Sequence, residues 1–115
     1  YIAYCFAEVA GFSKFGSYAG DGGSNNSVTI GFEPAFIMIK ASSVAEQWFM
    51  FDNKRQVTAS KSKYLTAQSS NAEADYGTPL VEFTSTGFIL KQGEPSNTVN
   101  GSGDTYIYMA FANQF

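Results

Sequence analysis

Carboxylates are the first side chains here that could do chemistry. Glu73 with Asp75, and Glu82 with Glu94, are spaced so that a fold could set an acid beside a base, as glycoside hydrolysis requires. Asp21, Asn25 and Asn26 approach the alternating oxygen ligands of a calcium loop. Ten acidic residues spread along 115 produce such groupings by chance, so a structural role is the stronger reading of both. Histidine is absent. That removes the commonest general base and metal ligand, and no Ser–His or Cys–His relay can be assembled. Gly20-Asp21-Gly22-Gly23 reads as a loop tip, with no helix behind it to hold a phosphate. The chain is therefore expected to be non-enzymatic and to need no cofactor and no metal.

Aromatic faces offer a different chemistry, because sugars stack on them. Trp48 is expected in the core, whereas Tyr64 and Tyr76 lie in a polar stretch and are the candidate glycan contacts. Asn25-Asn26-Ser27 and Asn100-Gly101-Ser102 match the glycosylation pattern, as Asn-rich loops often do by chance. Cys5 is the sole cysteine, so no internal disulfide forms, and its apolar surroundings predict a small buried thiol.

The elements that must position these residues are strands. Aromatic residues make up 17% of the chain, and Leu occurs only at positions 65, 80 and 90. Tyr, Phe, Ile, Val and Thr fit a pleated surface, while eleven glycines and runs of Ser and Asn supply turns. The length suits one domain with a single core. A net charge of −3 leaves no basic stripe for phosphates, so nucleic acid is not an expected partner. Lys54, Arg55, Lys61 and Lys63 read as a solvated loop. No apolar run reaches the roughly 18 residues of a membrane helix, so no membrane insertion is expected. No signal peptide is visible, and the chain opens without Met on a strand-like stretch, as a mature piece or a segment of something longer would.

Alternation predicts strands at Tyr1–Glu8, Lys14–Tyr18, Val28–Phe32, Leu80–Thr84, Phe88–Leu90 and Thr105–Ala112. Phe36–Ile39, a continuous apolar run, is expected to be buried on both faces, and Trp48–Phe51 forms the next strand. Residues 56–79 read as a long loop with at most one short strand. The expected fold is all-β: an antiparallel β-sandwich of eight or nine strands, with the jelly roll among the arrangements that fit. Its expected core includes Phe36, Ile37, Met38, Ile39, Phe88, Leu90, Ile107, Met109 and Phe111.

One internal echo stands out. YIAYCFAE at the start and YIYMAFAN near the end share residues at an offset of 105: Tyr1 with Tyr106, Ile2 with Ile107, Phe6 with Phe111, and Ala7 with Ala112. Large residues fall on one face in both. The echo suggests equivalent strands of successive units, so Tyr1, Ile2, Tyr4, Phe6, Tyr106, Ile107, Tyr108 and Phe111 are the candidate assembly residues.

AGFSKFGSY at 10–18, GFEPAFIMIK at 31–40, FDNKR at 51–55, STGFIL at 85–90 and NGSGDTYIYMAF at 100–111 occur in that order. Together they resemble an uncharacterised domain of bacteriophage virion proteins, tail-fibre-like proteins common in marine phages. The resemblance implies a structural or adhesion module of a virion or another extracellular assembly. Its expected partners are copies of itself, neighbouring virion domains and host-surface glycan. A subunit of another self-assembling filament, joined through its terminal strands, and a glycan-binding module are the alternatives. The resemblance carries over no catalytic residue.

Overall fold

A computed structural model describes residues 1–55, 57–58, 61–91 and 98–113. Ten strands follow one another among them: β1 (Ser13–Ala19), β2 (Asn26–Thr29), β3 (Phe36–Ala41), β4 (Trp48–Asp52), β5 (Val57–Thr58), β6 (Lys61–Thr66), β7 (Ala74–Asp75), β8 (Val81–Thr84), β9 (Gly87–Leu90) and β10 (Thr105–Phe111). They form a β-sandwich of two antiparallel sheets. The larger runs β1-β10-β3-β4-β6-β5, with β7 also paired to β6, and the smaller runs β2-β9-β8. Thus the last strand to be made lies inside the larger sheet, between β1 and β3.

The core fills the space between the sheets. Ile37, Ile39 and Ala41 of β3 face it, with Phe49 and Phe51 of β4 and Tyr106, Tyr108 and Ala110 of β10. Val81, Phe88 and Leu90 come from the smaller sheet, and Leu80 and Val99 close the ends. Two buried polar side chains tie the layers together. The Ser62 hydroxyl of β6 accepts from the N–H groups of Leu80 and Val81 at 2.9 and 3.0 Å and donates to the Val81 carbonyl at 3.0 Å. Asn100, fully buried, donates to Asp21 Oδ1 and the Gly23 carbonyl and accepts from Asn26 Nδ2 and the Asp21 N–H, which uses all its capacity.

Several expectations are corrected. Tyr1–Glu8 is not a strand: among the described residues it pairs with no strand of either sheet, and the place between β1 and β3 that its near-twin sequence occupies is held by β10. Cys5 is consequently exposed. β3 is not buried on both faces: Phe36, Met38 and Lys40 point away from the core and are half-buried. β10 has the opposite phase from that expected. Tyr106, Tyr108 and Ala110 face inward, Met109 and Phe111 are half-buried outside, and Ile107 is 43% exposed. Both faces of β10 carry large side chains, so alternation alone left the choice open. Tyr106 wins the inner face partly because its hydroxyl accepts from the Gly101 N–H at 2.8 Å. The polar stretch 56–79 contains β5, β6 and β7, anchored by Ser62, Tyr64 and Thr66 on the inner side of β6.

Candidate assembly surface

The outer face of the larger sheet is apolar across five strands. The register aligns Phe15 with Met109, Met109 with Met38, Met38 with Met50, and Met50 with Leu65, giving one unbroken row. The next row holds Ile107, Lys40 and Trp48. Trp48 is 39% exposed, not the core residue expected. It lies on the outer phase of β4, while Phe49 and Phe51 take the inner one. A groove of about 280 Å³ opens between the two rows, lined chiefly by Phe15, Met38, Trp48, Ile107 and Met109, with Lys40 as its charged member.

One end of this face is an aromatic cluster. Phe111 packs against Phe12, Phe15 and Phe36 at centroid separations of 6.1, 5.8 and 6.3 Å. Phe6 reaches it from the N-terminal segment, 5.9 Å from Phe111 and 6.0 Å from Phe15. The segment is held only near its base. Gly11, at φ 76°, lets the chain turn so that Phe12 and Ser13 both donate to the Val9 carbonyl at 2.9 Å. Ser13 Oγ donates to the Ala7 carbonyl and accepts from the Val9 N–H. Glu8 accepts from the Phe15 N–H at 3.1 Å and pairs with Lys14 at 3.2 Å. The Phe15 bond first, then Lys14, holds the Glu8 carboxyl below its ordinary pKa. Beyond Phe6 the side chains stand free: Ile2 is 84% exposed and Tyr4 83%.

The expected assembly residues therefore divide. Tyr106 and Tyr108 are buried in the core, Ile107 and Phe111 lie on the outer face, Phe6 touches that face, and Tyr1, Ile2 and Tyr4 project into solvent. Within the single chain the two ends therefore sit in different surroundings. The candidate glycan contacts separate as well. Tyr64 is half-buried against Phe49 and Phe51, with centroids 5.2 and 6.5 Å away, so only part of its ring is open to a ligand. Tyr76 is 37% exposed beside it.

The groups considered for catalysis and calcium have other work. Glu73 pairs with Arg55 at 2.7 Å and Lys63 at 3.3 Å, which lowers its pKa and keeps it ionised, the opposite of a proton donor. Glu82 pairs with Lys91, and Glu94 lies outside the described residues. Asp21 Oδ1 accepts from the Gly23 N–H and Asn100 Nδ2, and those bonds lower its pKa. Asn26 turns its Nδ2 toward Asn100 Oδ1, and Asn25 Oδ1 accepts from Lys91. Among the described residues no three acidic or Cys side chains gather as a metal site, and no helix is long and apolar enough to cross a membrane. Asn100, in the second glycosylation pattern, is buried.

Sequence reasoning misses the outer face because it assigns the same residues to the core. The signal is the run of large side chains on both phases of β3, β4 and β10, more than one core face can use. No curated protein and no solved structure matches the chain. One family pattern matches residues 1–114, and by it the chain belongs to the family described as Domain of unknown function (DUF7483).

Proposed function

We propose that this domain is a non-enzymatic structural and adhesion module of a phage tail fibre or related virion appendage, assembling with copies of itself or neighbouring virion domains. The observation that carries the reading is the apolar row from Phe15 to Leu65 on the outer sheet face. The row is half-buried and the flanking Ile107 and Trp48 are exposed, and apolar surface spanning five strands costs solubility unless another protein covers it. A repeated sandwich in a fibre covers such a face with its neighbour. A virion or extracellular location goes with this reading, as does the family resemblance of the sequence.

Sedimentation and electron microscopy of the chain, alone and as Met109→Lys, test it. Self-assembly expects closed oligomers or fibres that the substitution disperses; a wild-type chain that stays monomeric at high concentration overturns self-assembly and leaves only neighbouring virion domains as the cover. Open-ended polymers of the chain alone favour the alternative, a subunit of another self-assembling filament.

A glycan-binding module is the second alternative. Here Trp48 supports it as well as Tyr76, since it is 39% exposed opposite Lys40 in the register, and its backbone N–H donates to the Gln68 side chain. Glycan-array binding that survives Tyr76→Ala and vanishes in Trp48→Ala would favour it.

A further inference from the structure

The sandwich is complete without residues 1–8. β1 begins at Ser13, the turn at Val9–Ser13 closes it off, and every strand of the larger sheet is supplied from residue 13 onward. Yet residues 1–7 match residues 106–112, which are β10 and the residue after it, at four of seven positions and a constant offset of 105. β10 fixes what each position means. Tyr106, Tyr108 and Ala110 face the core, while Ile107, Met109 and Phe111 face out. Carried over, Tyr1, Ala3 and Cys5 take the inner positions, and Ile2, Tyr4 and Phe6 the outer ones. Tyr1 retains the ring and hydroxyl that Tyr106 uses against Tyr18 and Gly101. Cys5 replaces Ala110 at a fully buried position that takes a small side chain. Tyr4 replaces Met109 in the apolar outer row.

We propose that residues 1–8 are the closing strand of a second copy of this fold, lying between that copy's β1 and β3, and that the Val9–Ser13 turn joins two sandwiches in series. The inference rests on the reading of the domain as an assembling module and names one junction of it. The exposure of Ile2 and Tyr4 is then that of a strand without its sheet. Backbone pairing on both sides gives the segment affinity, and its alternation gives register.

A polypeptide made of residues 9–105 followed directly by residues 1–115 tests this. Its first part lacks β10, and only the segment of the second part can replace it. The proposal expects two folded sandwiches, with a calorimetric unfolding enthalpy about twice that of the single chain. It also expects Cys5, exposed in the single chain, to react with a thiol reagent at least about tenfold more slowly. One folded domain with Cys5 as reactive as before overturns it, provided that the same polypeptide with Ala3→Tyr, Tyr4→Met and Cys5→Ala forms two. If that control also forms one domain, the single chain carrying Met109→Tyr and Ala110→Cys decides. Folding with the introduced thiol protected from the reagent supports the proposal, and loss of the fold sinks it. Fibres or oligomers that persist while these tests fail leave the module reading standing and remove only this junction.

Discussion

Tyr18 and Tyr106 stack face to face, with ring centroids 5.1 Å apart and planes 9° from parallel. Tyr18 donates its hydroxyl proton to the Val99 carbonyl at 2.6 Å, and the Tyr106 hydroxyl accepts from the Gly101 N–H at 2.8 Å. Two strands thereby hold the loop that leads into β10. Val99 is fully buried, so Tyr18→Phe leaves its carbonyl short of a partner. The expected loss is about 1–3 kcal/mol, read by chemical denaturation with an unchanged m-value.

The same pair sets an alkaline limit. Burial, and then the neighbouring Tyr106, raise the Tyr18 pKa well above its ordinary value. A raised pKa means that the folded protein keeps the proton after the unfolded chain has lost it. The contribution is whole below the ordinary tyrosine pKa and is lost as pH rises toward the folded value. Melting temperature should fall above about pH 10, less steeply in Tyr18→Phe, which has no proton there to lose.

Ser62→Ala should be costly for so small a change. It removes an acceptor from two buried N–H groups and a donor from the Val81 carbonyl. About 1–3 kcal/mol is expected, with hydrogen exchange faster at Leu80 and Val81. A loss below about 0.5 kcal/mol would mean that β6 is not stapled to β8 this way.

Phe111→Ala should cost about 1.5–2.5 kcal/mol, half the loss for a fully buried Phe. Its ring is half-buried among Phe6, Phe12, Phe15 and Phe36 instead of lying in the core. Urea titration distinguishes the two, since a core position would lose more than about 3 kcal/mol.

Glu8 links the N-terminal segment to β1, and its carboxyl is held below the ordinary pKa. The depressed value makes its contribution present above the ordinary carboxylate range and lost as pH falls through the folded pKa. The Phe15 amide resonance should therefore shift on acidification in the wild type and hold still in Glu8→Gln. Equal shifts in both would assign the bond elsewhere.

The sequence by itself determined the class of fold and most strand positions. Alternation at Thr105–Ala112, the turn between Thr84 and Gly87, and the scarcity of Leu all follow from how side chains fit a pleated sheet, which is a local matter. Ser62 stayed invisible, because a serine in a polar stretch shows its burial only once β8 is packed over it. Which face of β10 is inner was likewise settled by tertiary contacts. Tyr106 and Ile107 are both apolar enough to be buried, and the hydroxyl partner at Gly101 and the stack on Tyr18 exist only in the folded chain. The same cause separates Tyr1–Ala7 from its near-twin Tyr106–Ala112. Pattern makes a segment able to be a strand, but only pairing with a neighbouring backbone makes it one, and within this sandwich the place that the Tyr106–Ala112 pattern fits, between β1 and β3, is filled by β10.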